Sequence, residues 1–189
     1  MNQLYPIKFK PIIKDKIWGG EKMAHLLNKD QGKLKNIGES WELSGVKGDV
    51  SLVTNGFLKD NTIEELIEVY MGDLVGDAIY ENFGLEFPLL FKFIEANDYL
   101  SIQVHPDDEM AWERHQSFGK TEMWYIVDAE QGAKLISGFN CEMDKEKYLD
   151  SFKKGTLKDI LNWEPVKPGD VFFMPAGRIH AIGPGILLA

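Results

Sequence analysis

The stretch from Gly169 to His180 constrains the fold more than any other part of the chain. Gly169-Asp170 opens a turn into the apolar run Val171-Phe172-Phe173-Met174, Pro175-Ala176-Gly177 turns again, and Ile179-His180-Ala181-Ile182 follows as a second short run. Glycine permits the tight backbone at each turn, proline stiffens the approach, and two runs this short and this closely joined read as paired strands. A strand at this position throws the side chain of His180 off one face of a sheet.

Alternation in period two recurs along the chain. Tyr99 to His105 places Leu100, Ile102 and Val104 on one face and Ser101, Gln103 and His105 on the other. Glu39 to Ser44 alternates likewise, with Glu39, Trp41 and Leu43 opposite Ser40, Glu42 and Ser44, and Thr121 to Val127 is aromatic and β-branched. Residues 5 to 13 alternate apolar and basic side chains around two prolines, which suits an edge strand, and Ile17-Trp18-Gly19-Gly20 reads as a turn. Phe87 to Glu95 is a short apolar run interrupted by Lys92.

Helical spacing appears between these runs. Asn61-Thr62 followed by Glu64-Glu65 gives a cap and an acidic first turn, and the apolar spacing extends to about residue 83 with a break near Gly72. Asp107 caps a helix over 108 to 117, and another fits 144 to 162 with an interruption at Gly155. Short strands with helices inserted at about 61–83, 108–117 and 144–162 predict a mainly β domain, a barrel or jelly roll, running through residues 1–189 as one unit. No internal repeat or linker divides it.

Composition bounds the function. Thirty acidic against 21 basic residues, a formal net charge of -9, argue against a nucleic-acid partner, because the phosphate backbone is bound through clustered Lys and Arg. No run of roughly 18 apolar residues is present to span a bilayer and the first residues lack a signal-peptide pattern, so a cytoplasmic protein without membrane association is expected. Cys141 is the single cysteine, which removes internal disulfides and thiolate-rich metal sites. Any metal must be held by nitrogen and oxygen.

Those atoms are available. Gln103 and His105, two apart on a strand, project from the same face and can reach one ion together, and Glu122 and His180 on separate strands are the natural remaining ligands. Two imidazoles, a carboxylate and an amide carbonyl suit Zn²⁺, one per chain, although Mn²⁺, Fe²⁺ or Co²⁺ fit the same cage. Singly, each residue is more often an ordinary strand side chain than a ligand. The spacing of Gly169, Pro175, Gly177 and His180 raises the odds, since it matches the second cupin motif, with an ordinary Pro-Gly hairpin as the alternative.

Beyond these residues, the chain resembles the short bacterial form of type I mannose-6-phosphate isomerase. The resemblance rests on Tyr5-Pro6-Ile7-Lys8-Phe9, Ile17 to Gly20, Gly38-Glu39-Ser40-Trp41-Glu42, Pro88-Leu89-Leu90-Phe91-Lys92, Ser101-Ile102-Gln103-Val104-His105-Pro106-Asp107-Asp108, Gly119-Lys120-Thr121-Glu122-Met123-Trp124 and Pro175 to Ala181. It implies a cupin-like jelly roll and a metal-dependent enzyme interconverting mannose 6-phosphate and fructose 6-phosphate, with zinc on Gln103, His105, Glu122 and His180. The partner is then a small sugar phosphate, and a monomer or weak homodimer is expected.

The resemblance also assigns a functional, catalytic lysine to Lys120, which shares a strand face with Glu122; a solvent-facing lysine at a strand end is the alternative. Lys92 must face either a carboxylate or the site, because an unpaired buried ammonium is costly, and the resemblance favours a substrate or phosphate contact. Trp18, Glu42 and Ser44 are candidates to line a sugar pocket, against core packing for Trp18 and solvation for the other two.

Two departures stand out. Some members carry a histidine immediately before the lysine, where this chain has Gly119. The chain also stops within the apolar run Ile186-Leu187-Leu188-Ala189, and family members continue through an arginine into a second jelly roll. An open, apolar sheet edge is therefore expected there, with metal binding but weak or no isomerase activity. The same residues admit two other readings, a non-catalytic metal- or sugar-binding cupin module and another metal cupin such as an iron-dependent dioxygenase.

Overall fold

The structure, a computed structural model, describes residues 3–30 and 32–189. The first elements are strand β1 (Ile12–Gly20), helix α1 (Lys22–Leu27), strand β2 (Ile37–Ser44), helices α2 (Ile63–Tyr70), α3 (Gly72–Val75) and α4 (Asp77–Phe83), and strand β3 (Leu90–Ala96). Helix α5 (Asp108–His115), strands β4 (Glu122–Ala129) and β5 (Lys134–Phe139), helix α6 (Lys145–Lys154) and a 3₁₀ turn (Leu157–Ile160) follow. Strands β6 (Leu161–Pro165), β7 (Val171–Met174), β8 (His180–Ile182) and β9 (Ile186–Leu188) complete the order. The protein is mainly β, with antiparallel pairing and helices inserted between strands, as the alternation and capping signals predict. None of the described helices is long and apolar enough to cross a membrane.

The chain divides into two compact units, one of residues 1–16 and 31–93 and one of 17–30 and 94–189. In the first, β1, β2 and the start of β3 are neighbours in that order. Helix α2 begins in a full capping box: Thr62 Oγ1 accepts from the Glu65 N–H at 3.1 Å while the Glu65 carboxylate accepts from the Thr62 N–H at 2.7 Å. It buries Ile63, Leu66, Ile67 and Tyr70 along one face. The break falls at Met71, whose positive φ ends the helix, and Gly72 follows because a Cβ there would strike Asp77.

A charged group organises this unit. Glu39 on β2 accepts from Lys92 Nζ at 3.0 Å and from the Trp41 indole N–H at 2.7 Å, with Lys16 at 3.8 Å. Burial alone would raise the Glu39 carboxyl, but the charge of Lys92, the hydrogen bonds from Trp41 and Lys92 and the charge of Lys16 hold it below its ordinary range.

In the second unit the end of β3, then β9, β4 and β7 form one sheet, and β6, β5 and β8 another. A single cluster of buried side chains draws on both: Ile94, Trp124, Ile126, Met174, Ile186 and Leu188 from the first, Leu135 and Ile182 from the second. Two packed antiparallel sheets around one core are the architecture inferred from the alternating runs.

Several expectations are corrected. Residues 17–20 continue β1 instead of turning. Asn97 donates its backbone N–H to the Trp18 carbonyl at 2.8 Å, and Gly20 leaves room for the Glu95 carboxylate, which a Cβ would meet at 2.0 Å. The glycine thus serves close approach. Glu95, fully buried, accepts from the N–H groups of Lys22 and Met23 at 2.9 and 2.8 Å and caps α1, an element with no local signal.

Residues 99–105 form no named strand: Leu100 N–H donates to the Ile182 carbonyl, Gln103 pairs with His180, and Val104 is exposed instead of facing the core. In residues 5–13, the segment before β1 is bridged only through Phe9 to Val53. The C-terminal run is no open edge, because β9 lies between β3 and β4, paired on both sides, with Ile186, Leu187 and Leu188 buried.

Replacing Glu39 by Gln should cost about 1 kcal/mol at neutral pH, a surface-to-intermediate ion-pair value. The contribution of ionised Glu39 is present above its unfolded-state pKa, about 4.3, and is lost as pH falls through the lowered folded value. Denaturant unfolding should therefore show wild type and variant converging on acidification; a constant gap from neutral pH down to about pH 2 would contradict this.

Candidate metal centre

All the groups of this centre belong to the second unit. His180 opens β8, where its backbone N–H and carbonyl exchange hydrogen bonds of 2.9 and 3.0 Å with Gln103. That exchange ties the Gln103–His105 segment to the strand carrying the other histidine. Gly177, at φ +82°, donates its N–H to the His105 carbonyl at 2.8 Å, so the Pro-Ala-Gly turn grips the same segment from the other side. Glu122 opens β4 opposite Met174 of β7, and Thr121 Oγ1 accepts from the Ala176 N–H at 3.3 Å.

These backbone ties bring His105, Glu122 and His180 together with their donor atoms within 4.8 Å of one another, the donors and spacing of a metal site. Glu122 Oε1 lies 3.6 Å from His105 Nε2, and Glu122 Oε2 lies 3.4 Å from His180 Nε2. Ligands about 2.1 Å from an ion in tetrahedral array stand roughly 3.4 Å apart.

The protonation pattern sharpens the case. His180 Nδ1 lies 2.9 Å from the Arg178 carbonyl, which can only accept, so Nδ1 donates there and Nε2 is turned toward Glu122 Oε2. Both Nε2 and Oε2 are buried without a hydrogen-bond partner. Buried polar atoms left without a partner are costly, and a cation between them would relieve that cost. Trp124 packs edge-on against the His180 ring at 5.4 Å, holding it from the core side.

Lys120 Nζ lies 2.9 Å from Glu122 Oε1 and 3.3 Å from His105 Nε2, so the lysine joins the cluster. Gln103 joins through its backbone pairing with His180, with its side chain exposed. The other candidates have local partners. Lys92 pairs with Glu39, the carboxylate alternative, with its ammonium also 5.9 Å from the Trp41 ring. Glu42 accepts from Ser40 Oγ at 2.6 Å, and Ser44 is fully buried, its hydroxyl accepting from the Val46 N–H. Trp18 packs against the core of the second unit.

Sequence reasoning did not single out the Arg178 carbonyl that accepts from His180 Nδ1, and it marked Gly119 as a departure without a structural reason. The Gly119 N–H donates to Asp108 Oδ1 at 2.8 Å, and a Cβ there would lie 2.5 Å from the Asp107 carbonyl carbon and 2.6 Å from the Asp108 nitrogen. A side chain at this position would require that backbone to shift. The only signal for it was the departure from the family pattern.

The family model for the phosphomannose isomerase type I catalytic domain matches residues 7–155. Mannose-6-phosphate isomerase ManA of Bacillus subtilis is 39% identical over 189 residues, covering 96% of this chain, and mannose-6-phosphate isomerase of Streptococcus mutans is 37% identical over 97% of it. The crystal structure of mannose 6-phosphate isomerase from Bacillus subtilis superimposes with a TM-score of 0.86 at 33% identity over 97% of this chain. The chain spans 56% of the length of each of these three.

Replacing Gly177 by Ala should cost roughly 1–2 kcal/mol. Nothing lies within 4 Å of the added Cβ, so the cost is the positive φ alone. Denaturant unfolding of the variant checks it, and an unchanged midpoint would show that the turn relaxes freely.

Proposed function

The chain belongs to the type I phosphomannose isomerase family, and we propose that its second unit carries the metal centre of a mannose-6-phosphate isomerase. The observation that carries this reading is the buried, partnerless pair formed by His180 Nε2 and Glu122 Oε2, 3.4 Å apart. In this reading His105, Glu122 and His180 hold one Zn²⁺, and the side-chain carbonyl of Gln103 completes the set. Two imidazoles with oxygen donors and no thiolate suit zinc at neutral pH.

Interconversion of mannose 6-phosphate and fructose 6-phosphate moves a proton between C1 and C2 through an enediol-like intermediate. It needs a base near those carbons and positive charge near the oxygen on which negative charge develops. A bound zinc supplies polarisation of substrate oxygens. Lys120 supplies a second positive charge beside Glu122, and we assign it the substrate contact through which the developing oxyanion is stabilised. The Arg178 carbonyl keeps the proton of His180 on Nδ1, and Trp124 and the core behind it keep water from that side of the ring.

The test is turnover of mannose 6-phosphate by the purified chain, metal-loaded, chelated and reloaded, with metal content measured alongside. We expect one zinc per chain, turnover that is weak and falls to nothing on chelation, and His105→Ala weakening metal binding by more than about 100-fold, beyond the loss usual for outer partners of a metal ligand. Turnover that survives complete removal of metal would overturn the reading.

A further inference from the structure

Resting on the metal reading above, we propose that Lys120 is a tethered competitor for the metal cage, its ammonium in contact with ligand atoms that an ion would take, so that lysine and metal exclude each other. An ammonium has only donors to offer. Its approach to Glu122 Oε1 at 2.9 Å and His105 Nε2 at 3.3 Å therefore sets it against atoms of two of the residues assigned to the metal. The other half of the cage, Glu122 Oε2 and His180 Nε2, has no partner. A single charge on a side chain satisfies two of the four donor atoms, and a divalent ion can gather all of them.

The backbone around Lys120 is built to hold it there. Its N–H donates to the Pro106 carbonyl at 3.1 Å, and the preceding Gly119 is pinned by Asp108 and pressed against the Pro106–Asp108 backbone with no room for a side chain. Asp107 in the same turn accepts from the Met110 N–H and starts α5, so the lysine is anchored to a helix start. The Lys120 side chain is 46% exposed, leaving it a path to solvent when an ion displaces it. Metal loading thus releases an ammonium at the rim of the centre, free to meet an anionic substrate, while the metal-free protein keeps Glu122 neutralised.

The experiment is calorimetric titration of the metal-free chain with Zn²⁺, for wild type, Lys120→Met, Lys120→Gln and the exposed Lys153→Met of α6 as a control for net charge. Denaturant midpoints of the metal-free proteins are measured alongside. Loss of the competing charge-assisted contacts should tighten zinc binding by at least about tenfold in both Lys120 variants and leave Lys153→Met unchanged. Both Lys120 variants should also unfold at lower denaturant when metal-free. Lys120 variants that bind zinc as wild type does, or more weakly, overturn the proposal while leaving the metal centre standing. Absence of zinc binding in wild type overturns both.

Discussion

Two buried polar atoms without a hydrogen-bond partner face each other in the interior of the second unit, and the histidine among them is held on both sides. His180 Nε2 and Glu122 Oε2 stand 3.4 Å apart without a donor between them, while the Arg178 carbonyl fixes the histidine proton on the far nitrogen and Trp124 closes on the ring. A folded protein tolerates such an arrangement where a ligand repays it, because unpaired buried polar atoms cost more than most single contacts contribute. A cation between the two atoms would relieve that cost.

The scaffold explains how a weakly regular part of the chain carries so exact a constellation. Residues 99–105 lack a continuous ladder, yet Gln103 is exchanged with His180 and the His105 carbonyl is gripped by Gly177. Lys120 and Glu122 come in on the entry to β4, held by the start of α5 and by Thr121 against Ala176. The ties of Gln103, His105 and Lys120 run between backbone groups, and those at Thr121 and Asp108 end on a side-chain oxygen. Behind them, the central position of β9 gives the sheet a buried spine of Ile186, Leu187 and Leu188.

Much of this was legible in the sequence. Period-two alternation with Gly and Pro punctuation gave the mainly β architecture, Thr62 and Asp107 announced their helices, and three of the four candidate ligands, His105, Glu122 and His180, are brought together by the fold, while the Gln103 side chain is exposed. What stayed hidden depends on contacts distant along the chain. Glu95 caps α1 across more than seventy residues, so no local pattern marks that helix, and Gly20 is small because of that carboxylate and not because of a turn. The run from Ile186 to Ala189 looked like an exposed edge because nothing in its composition reveals two partner strands. Lys92 was open to either a carboxylate or a ligand, and only the fold shows Glu39 beside it.

In the proposed function one divalent cation sits among His105, Glu122 and His180. Its most direct test is an anomalous-difference map from crystals of the chain grown with Zn²⁺, collected on both sides of the zinc absorption edge. A single zinc peak within about 2.0–2.2 Å of His105 Nε2, His180 Nε2 and a Glu122 carboxylate oxygen is the predicted result. Crystals that contain zinc elsewhere, with these three side chains still facing one another around no peak, would contradict it.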